Sequence, residues 1–169
     1  LEDVSVLDTI GGWIAHLFEY VTGALKEVTF EVYALEDIKA ADGESEDHYK
    51  KDELVGTITT DETGVARLSD LPLGKYYIKE KETAEGFVLD GKIREVDLTY
   101  RDQHTVEVTY STDWQNLRQR AEVSVIKKEK DTDRVLEGAV FALCAKEDIL
   151  NKDGEVILKA DTVIKEKAT

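Results

Sequence analysis

Among the 169 residues, the side chains that could do chemistry are thinly spread. Asn151, Asp153, Gly154 and Glu155 have a spacing loosely like a calcium loop, in which oxygens ring a hard cation. The fuller D-x-D-x-D-G run and its distant glutamate are missing, so a solvated turn is expected there. Asp61, Asp131 and Asp133 read as turn carboxylates in the same way. His16, His48 and His104 are scattered, and no paired motif suggests zinc or a catalytic triad. A single cysteine, Cys144, excludes an internal disulfide and any multi-cysteine metal site. It lies on an apolar run and reads as an inert core thiol. Neither a G-x-S-x-G elbow nor a glycine-rich phosphate loop is present. No metal, no cofactor and no catalysis on a substrate are expected.

Charge narrows the partners. Acidic residues outnumber basic ones 37 to 22, for a net charge of −15. Such a field repels a phosphate backbone and anionic lipid, so neither nucleic acid nor membrane is an expected partner. No apolar run approaches the roughly 20 residues of a spanning helix. The chain has no methionine and shows no signal-peptide pattern, and it reads as a piece of a longer protein.

The elements that must carry these residues repeat. Residues 27–44 (EVTFEVYALEDIKAADGE) match residues 138–155 (GAVFALCAKEDILNKDGE) at an offset of 111. Phe30 falls on Phe141, Ala34 on Ala145, Asp37 on Asp148 and Gly43 on Gly154. Upstream, DVSVL from Asp3 resembles EVSVI from Glu122; downstream, KDELVGTITT from Lys51 resembles ADTVIKEKAT from Ala160. Residues 1–117 are therefore expected to form one complete repeat, and 118–169 the N-terminal half of a second. Period-two alternation in VTFEVYA (28–34), TVEVTY (105–110) and EVSVI (122–126) predicts strands. In GKYYIKEKE it puts Tyr76, Ile78 and Glu80 on one face, and Tyr77, Lys79 and Lys81 on the other. Glycine turns between the runs point to an all-β sandwich. Residues 9–24 break the pattern: Ile10, Trp13, Ile14, Leu17, Phe18 and Val21 follow helical spacing. A short N-terminal amphipathic helix is expected, with a strand through His16–Val21 as the alternative.

The stretch TTDETGVARLSDLPLGKYYIKEKETAEGFVLD resembles the Cna B-type repeats of Gram-positive surface proteins, SpaA-like pilins and collagen-adhesin stalks among them. Their pattern runs roughly TDxxGxxxLxxLPxGxYYxxExxAPxGY. Thr60, Asp61, Gly64, Leu68, Leu71, Pro72, Gly74, Tyr76, Tyr77, Glu80 and Gly86 match it, while Ala84 stands where proline is usual and Phe87 in place of the tyrosine. VSVIKKEKDTDRVLEGAVFAL resembles the family's opening strand. The resemblance implies a prealbumin-like, Ig-like β-sandwich. Leu71-Pro72-Leu73-Gly74 looks like a sortase signal, but it lacks the threonine and reads as a turn into a strand.

Many such repeats form an internal Lys–Asn or Lys–Asp isopeptide bond between first and last strands, promoted by a buried glutamate. An apolar core keeps the amine neutral and the acid protonated, and the acid then polarises the amide carbonyl as ammonia leaves. The resemblance puts Glu80 at the promoting-acid position and makes Asn116 the last-strand amide. The first-strand lysine is replaced by Asp8, and no lysine precedes Lys26. The second repeat supplies Lys127 but not the later strands. No isopeptide bond within this chain is expected. By analogy with a disulfide, the first repeat forgoes about 4.7 kcal/mol for a loop of about 100 residues. A buried Glu80 without lysine must keep its proton or find a donor.

The function implied is non-enzymatic: a stalk or spacer module of a secreted, wall-anchored adhesin or pilin-like protein. Neighbouring repeats would be its partners, kept close by the link Leu117–Glu122. One alternative is an adhesin module that recognises a host protein or glycan through Trp13, Phe18, Tyr20 and Trp114; another is an accessory domain of an exported enzyme. The strand edges of a half sandwich invite a strand-exchange dimer through the second repeat.

Overall fold

The computed structural model describes residues 22–40, 42–151 and 154–169. The helix or strand expected within residues 9–24 falls outside them, apart from Thr22–Ala24, which belong to no element. Every described element is a strand. In order they are β1 (Thr29–Ala34), β2 (Leu54–Thr59), β3 (Lys75–Glu82), β4 (Phe87–Val88), β5 (Ile93–Asp97), β6 (Leu117–Arg118), β7 (Val140–Cys144), β8 (Ile149–Leu150), β9 (Val156–Leu158) and β10 (Val163–Ala168). The chain divides into two compact units, one of Ala24–Arg120 and one that includes Ala121–Thr169.

In the first unit, β-branched and aromatic residues at period two build an antiparallel sheet of order β2-β1-β3-β5. Its inner face carries Val32, Ala34, Tyr76 and Val96, which bury together with Ile38. Leu68 and Leu71 of the β2–β3 connection pack against this core. Tyr76 is fully buried and its hydroxyl donates to the Pro72 carbonyl, which ties Leu71–Gly74 down as a turn. The connection opens with Asp61, whose Oδ1 accepts from the N–H groups of Thr63 and Val65. Gly64 follows at φ +74°; a Cβ there would lie 2.8 Å from that of Ala24, so only glycine fits.

Two expected strands do not form. TVEVTY meets no partner strand among the described residues, and Val106 is fully exposed. EVSVI likewise lies outside any strand, with Val123 and Ile126 exposed. Alternation prepares one face for burial, but a strand also needs a neighbour for its backbone groups. Leu117 and Arg118, read as the start of a linker, instead pair with Val88 and Phe87.

The second unit pairs β7 with β10 and β8 with β9. It reproduces the first unit's hairpin bond for bond. Val28 N–H donates to Thr60 Oγ1, which donates to the Leu25 carbonyl; Ala139 N–H donates to Thr169 Oγ1, which donates to the Leu136 carbonyl. Lys51 N–H donates to Asp37, and Ala160 N–H to Asp148. Even the irregularity recurs: the register slips by one residue at Val55 in β2 and at Ile164 in β10.

Candidate functional site

Alternation along β3 turns Glu80 to the inner face of its sheet, opposite Phe30 of β1. It is 4% exposed, a carboxyl that cannot be left without partners. Asn116 supplies them: its Nδ2 lies 2.7 Å from Oε1 and 2.8 Å from Oε2 of Glu80, and 3.2 Å from the Val88 carbonyl. Asp90 N–H donates to Oε2 as well. Three chain segments, β3, the loop after β4 and the residues before β6, therefore meet on one carboxyl group.

Trp114, two residues before Asn116, faces the same way. Its ring packs edge-on to Phe30 with centroids 5.1 Å apart, and the Arg94 guanidinium lies 4.3 Å from its ring centre. Arg94 also donates to Thr112 Oγ1 and to the Asp113 carbonyl, which holds the segment in place. The Trp114 Nε1 group is buried with no hydrogen-bond partner. Next along, the Arg118 guanidinium covers Phe87, 4.6 Å from its ring centre.

Of the residues singled out in the sequence, the structure thus brings Glu80 and Asn116 together. Asp8 lies outside the described residues, and no described lysine amine reaches Glu80 or Asn116. Lys79 and Lys81 leave β3 on the opposite face, and Lys26 pairs with Glu62 at 3.1 Å. Lys127 is exposed, its carbonyl accepting from Leu136 N–H. Condensation of a lysine amine with the Asn116 carboxamide would form an amide and release ammonia. The pair is arranged instead as a hydrogen-bonded clasp.

The outer face of the sheet holds a cluster that the sequence reading missed. Glu31 accepts from Tyr33 Oη at 2.7 Å and lies 3.3 Å from Lys79 Nζ and 3.2 Å from Lys81 Nζ. These donors, the tyrosine hydroxyl foremost and then Lys81, hold its carboxyl down at about 2. Tyr33 stacks on Tyr77 at 5.1 Å, and Lys79 covers the Tyr33 ring. Cross-strand register was the available signal, since Glu31 opposes Lys79 and Tyr33 opposes Tyr77.

Asn151 and Glu155 close on each other, Nδ2 to Oε2 at 3.0 Å and Glu155 N–H to Oδ1 at 2.9 Å; Asp153 lies outside the described residues. Asp131 and Asp133 adopt positive φ in a turn, and Asp133 pairs with Lys128 at 3.4 Å. His48 and His104 are exposed, and His16 is not described. Among the described residues, no three His, Cys, Asp or Glu side chains gather to hold a metal ion. Cys144 corrects the core-thiol reading: it is exposed, because it holds the outer-face place of Tyr33 in the matching hairpin while its neighbour Ala145 is buried.

A family model described as SpaA, a prealbumin-like fold domain, matches residues 19–114. The match includes Glu80 and ends two residues before Asn116. No curated protein matches the chain. Among solved structures it is similar to "The Bacillus anthracis TIE protein", with 21% identity and a TM-score of 0.45. That alignment covers 87% of this chain and 25% of the other, so the chain spans about a quarter of that protein's length.

Proposed function

From a chain that belongs to the SpaA family of prealbumin-like fold domains, we propose a non-enzymatic structural role: a stalk or spacer module of a Gram-positive surface protein, adhesin-like or pilin-like, displayed at the cell wall. The observation that carries the reading is the tandem hairpin. Two units in one chain repeat the same capping threonine, the same aspartate and the same strand irregularity. Modules copied in series provide length, each touching its neighbours, whereas a single catalytic site needs no second copy of its scaffold. Residues 1–117 and 118–169 are read as the successive repeats.

In this role the Glu80–Asn116 pair stands in for a covalent staple. It joins β3 to the closing segment by hydrogen bonds to both carboxyl oxygens, which resist separation but re-form after it. Intact-mass measurement of the purified chain tests this. The sequence mass, unshifted, is expected; a loss of about 17 Da, that of ammonia in a condensation, would show that a lysine reaches Asn116 and that the staple is covalent. The ligand-binding alternative finds less support: Trp114, the one aromatic of its set among the described residues, is taken up by Phe30 and Arg94.

A further inference from the structure

The connection from β5 to β6 is fastened at its two ends. At the near end β5 pairs with β3 through five residue pairs, and the Leu98 N–H and carbonyl then bond Gly74. Beyond Leu98 the chain leaves the sheet. Among the described residues Tyr100–Ser111 join no strand, and the bonds of their middle are local, from His104 and Thr105 to Asp102. Tyr100 is 63% exposed and Val106 fully so. At the far end the attachments crowd together. Thr112 and the Asp113 carbonyl accept from Arg94, Trp114 packs on Phe30, and Asn116 binds Glu80 and the Val88 carbonyl. Leu117 and Arg118 pair with β4, and Gln119 N–H donates to the Gly86 carbonyl. None of these belongs to the main core. Val32, Ala34, Ile38, Tyr76 and Val96 close on one another without any residue beyond Leu98.

We propose that residues 99–116 are an extension strap: under a pull on the chain beyond β6 they come away first, as one piece, while the sheet β2-β1-β3-β5 stays folded. This deepens the stalk reading and rests on it, since only a load-bearing module is pulled. Load that enters through β6 meets the two pairs of β4 with β6, the Asn116 clasp and the Arg94 latch before it meets the five pairs of β5 with β3. The weaker attachments therefore open as a unit of their own. Release frees Thr99–Arg120, 22 residues, which reach about 75 Å when extended at ~3.4 Å each. It opens Phe30 and Glu80 to water but leaves the core cluster closed, so the folded sheet remains as the template on which the strap re-docks. A covalent lysine link at Asn116 would forbid this travel; hydrogen bonds permit it.

Optical tweezers test the strap on the full chain carrying Cys144→Ser, with handles on Glu44→Cys and Glu122→Cys, both exposed positions. Two events are expected. The first gains about 75 Å of contour and reverses on relaxation; the second gains the rest of the ~265 Å between the handles. Asn116→Ala and Arg94→Ala should each speed the first event roughly tenfold at fixed force and leave the second unchanged. Hydrogen exchange gives the location: Asn116→Ala should speed exchange of the Asp90 and Gln119 amides about tenfold and leave those of β1 and β3 as they were. If Arg94→Ala does not fold, Thr112→Val, which removes the hydroxyl that accepts from Arg94, takes its place. A single event of full length, a sheet that opens before the strap, or variants that speed both events alike would overturn the proposal. Each of these outcomes concerns the order of release alone and leaves the stalk reading, with its own test by intact mass, where it stands.

Discussion

Phe30 and Phe141 hold the same place in two copies of one hairpin. Phe30 is 8% exposed, packed on Trp114 and flanked by strands on both sides. Phe141 is only half-buried, and its neighbours Val140 and Leu143 are exposed. The hydrogen bonds within the two hairpins are the same, so local pairing does not explain the difference. Burial does: β3, β5 and the segment around Trp114 come from far along the chain and close the first unit. Among the described residues the second unit has no counterparts of these segments, and beside its ladder only Ala145 and Leu158 are buried.

The sharpest way to break this comparison is to truncate both rings. Phe30→Ala should destabilise the first unit by about 3–5 kcal/mol, and Phe141→Ala should destabilise the second by less than half as much. Hydrogen exchange resolved by unit measures both; equal losses would refute the contrast. Next in size is the clasp. Asn116→Ala strips two hydrogen bonds from a buried carboxyl and should cost the first unit about 1.5–3 kcal/mol in urea unfolding, with no effect on protection of β7 and β10. Thr60→Val and Thr169→Val test the shared hairpin, and each should cost its own unit about 1 kcal/mol. A strong effect of one and none of the other would show that the matched bonds are not matched in energy.

The smallest effect concerns pH. The Glu31 carboxyl is held at about 2 in the folded chain, below its ordinary 4.5. A depressed carboxyl contributes stability that is present above 4.5 and lost as pH falls toward 2. The melting temperature of the first unit should drop across that window, and Glu31→Gln should flatten the drop. The second unit carries Ala142 at this place, so its acid response should be indifferent to the exchange.

Particular residues show what could be read in advance. The faces of β3 followed from alternation, and the inward Tyr76, Ile78 and Glu80 are where period two puts them. The turn at Asp61–Gly64 was legible because an aspartate and a positive-φ glycine have few other uses. Glu80 and Asn116 were named from a resemblance, and the structure shows what holds them: the Asp90 N–H, the Val88 carbonyl and the flanking Trp114. Cys144 was misread because an apolar run does not show which face of its strand is covered. TVEVTY was misread because alternation does not supply a neighbour for its backbone groups, and the two-residue β6 is too short to leave any pattern. The Glu31 cluster needed the β1–β3 register, which is a relation between strands and not a property of either.

Alternation, turn chemistry and internal similarity belong to residues close in sequence, and the sequence by itself determined them: the all-β class, the repeat and its hairpin. Which strands of the first unit acquire two neighbours was decided only by the tertiary structure. The physical reason is that backbone pairing and burial are completed by partners far away in the chain, and a strand carries no mark of whether its partner arrives.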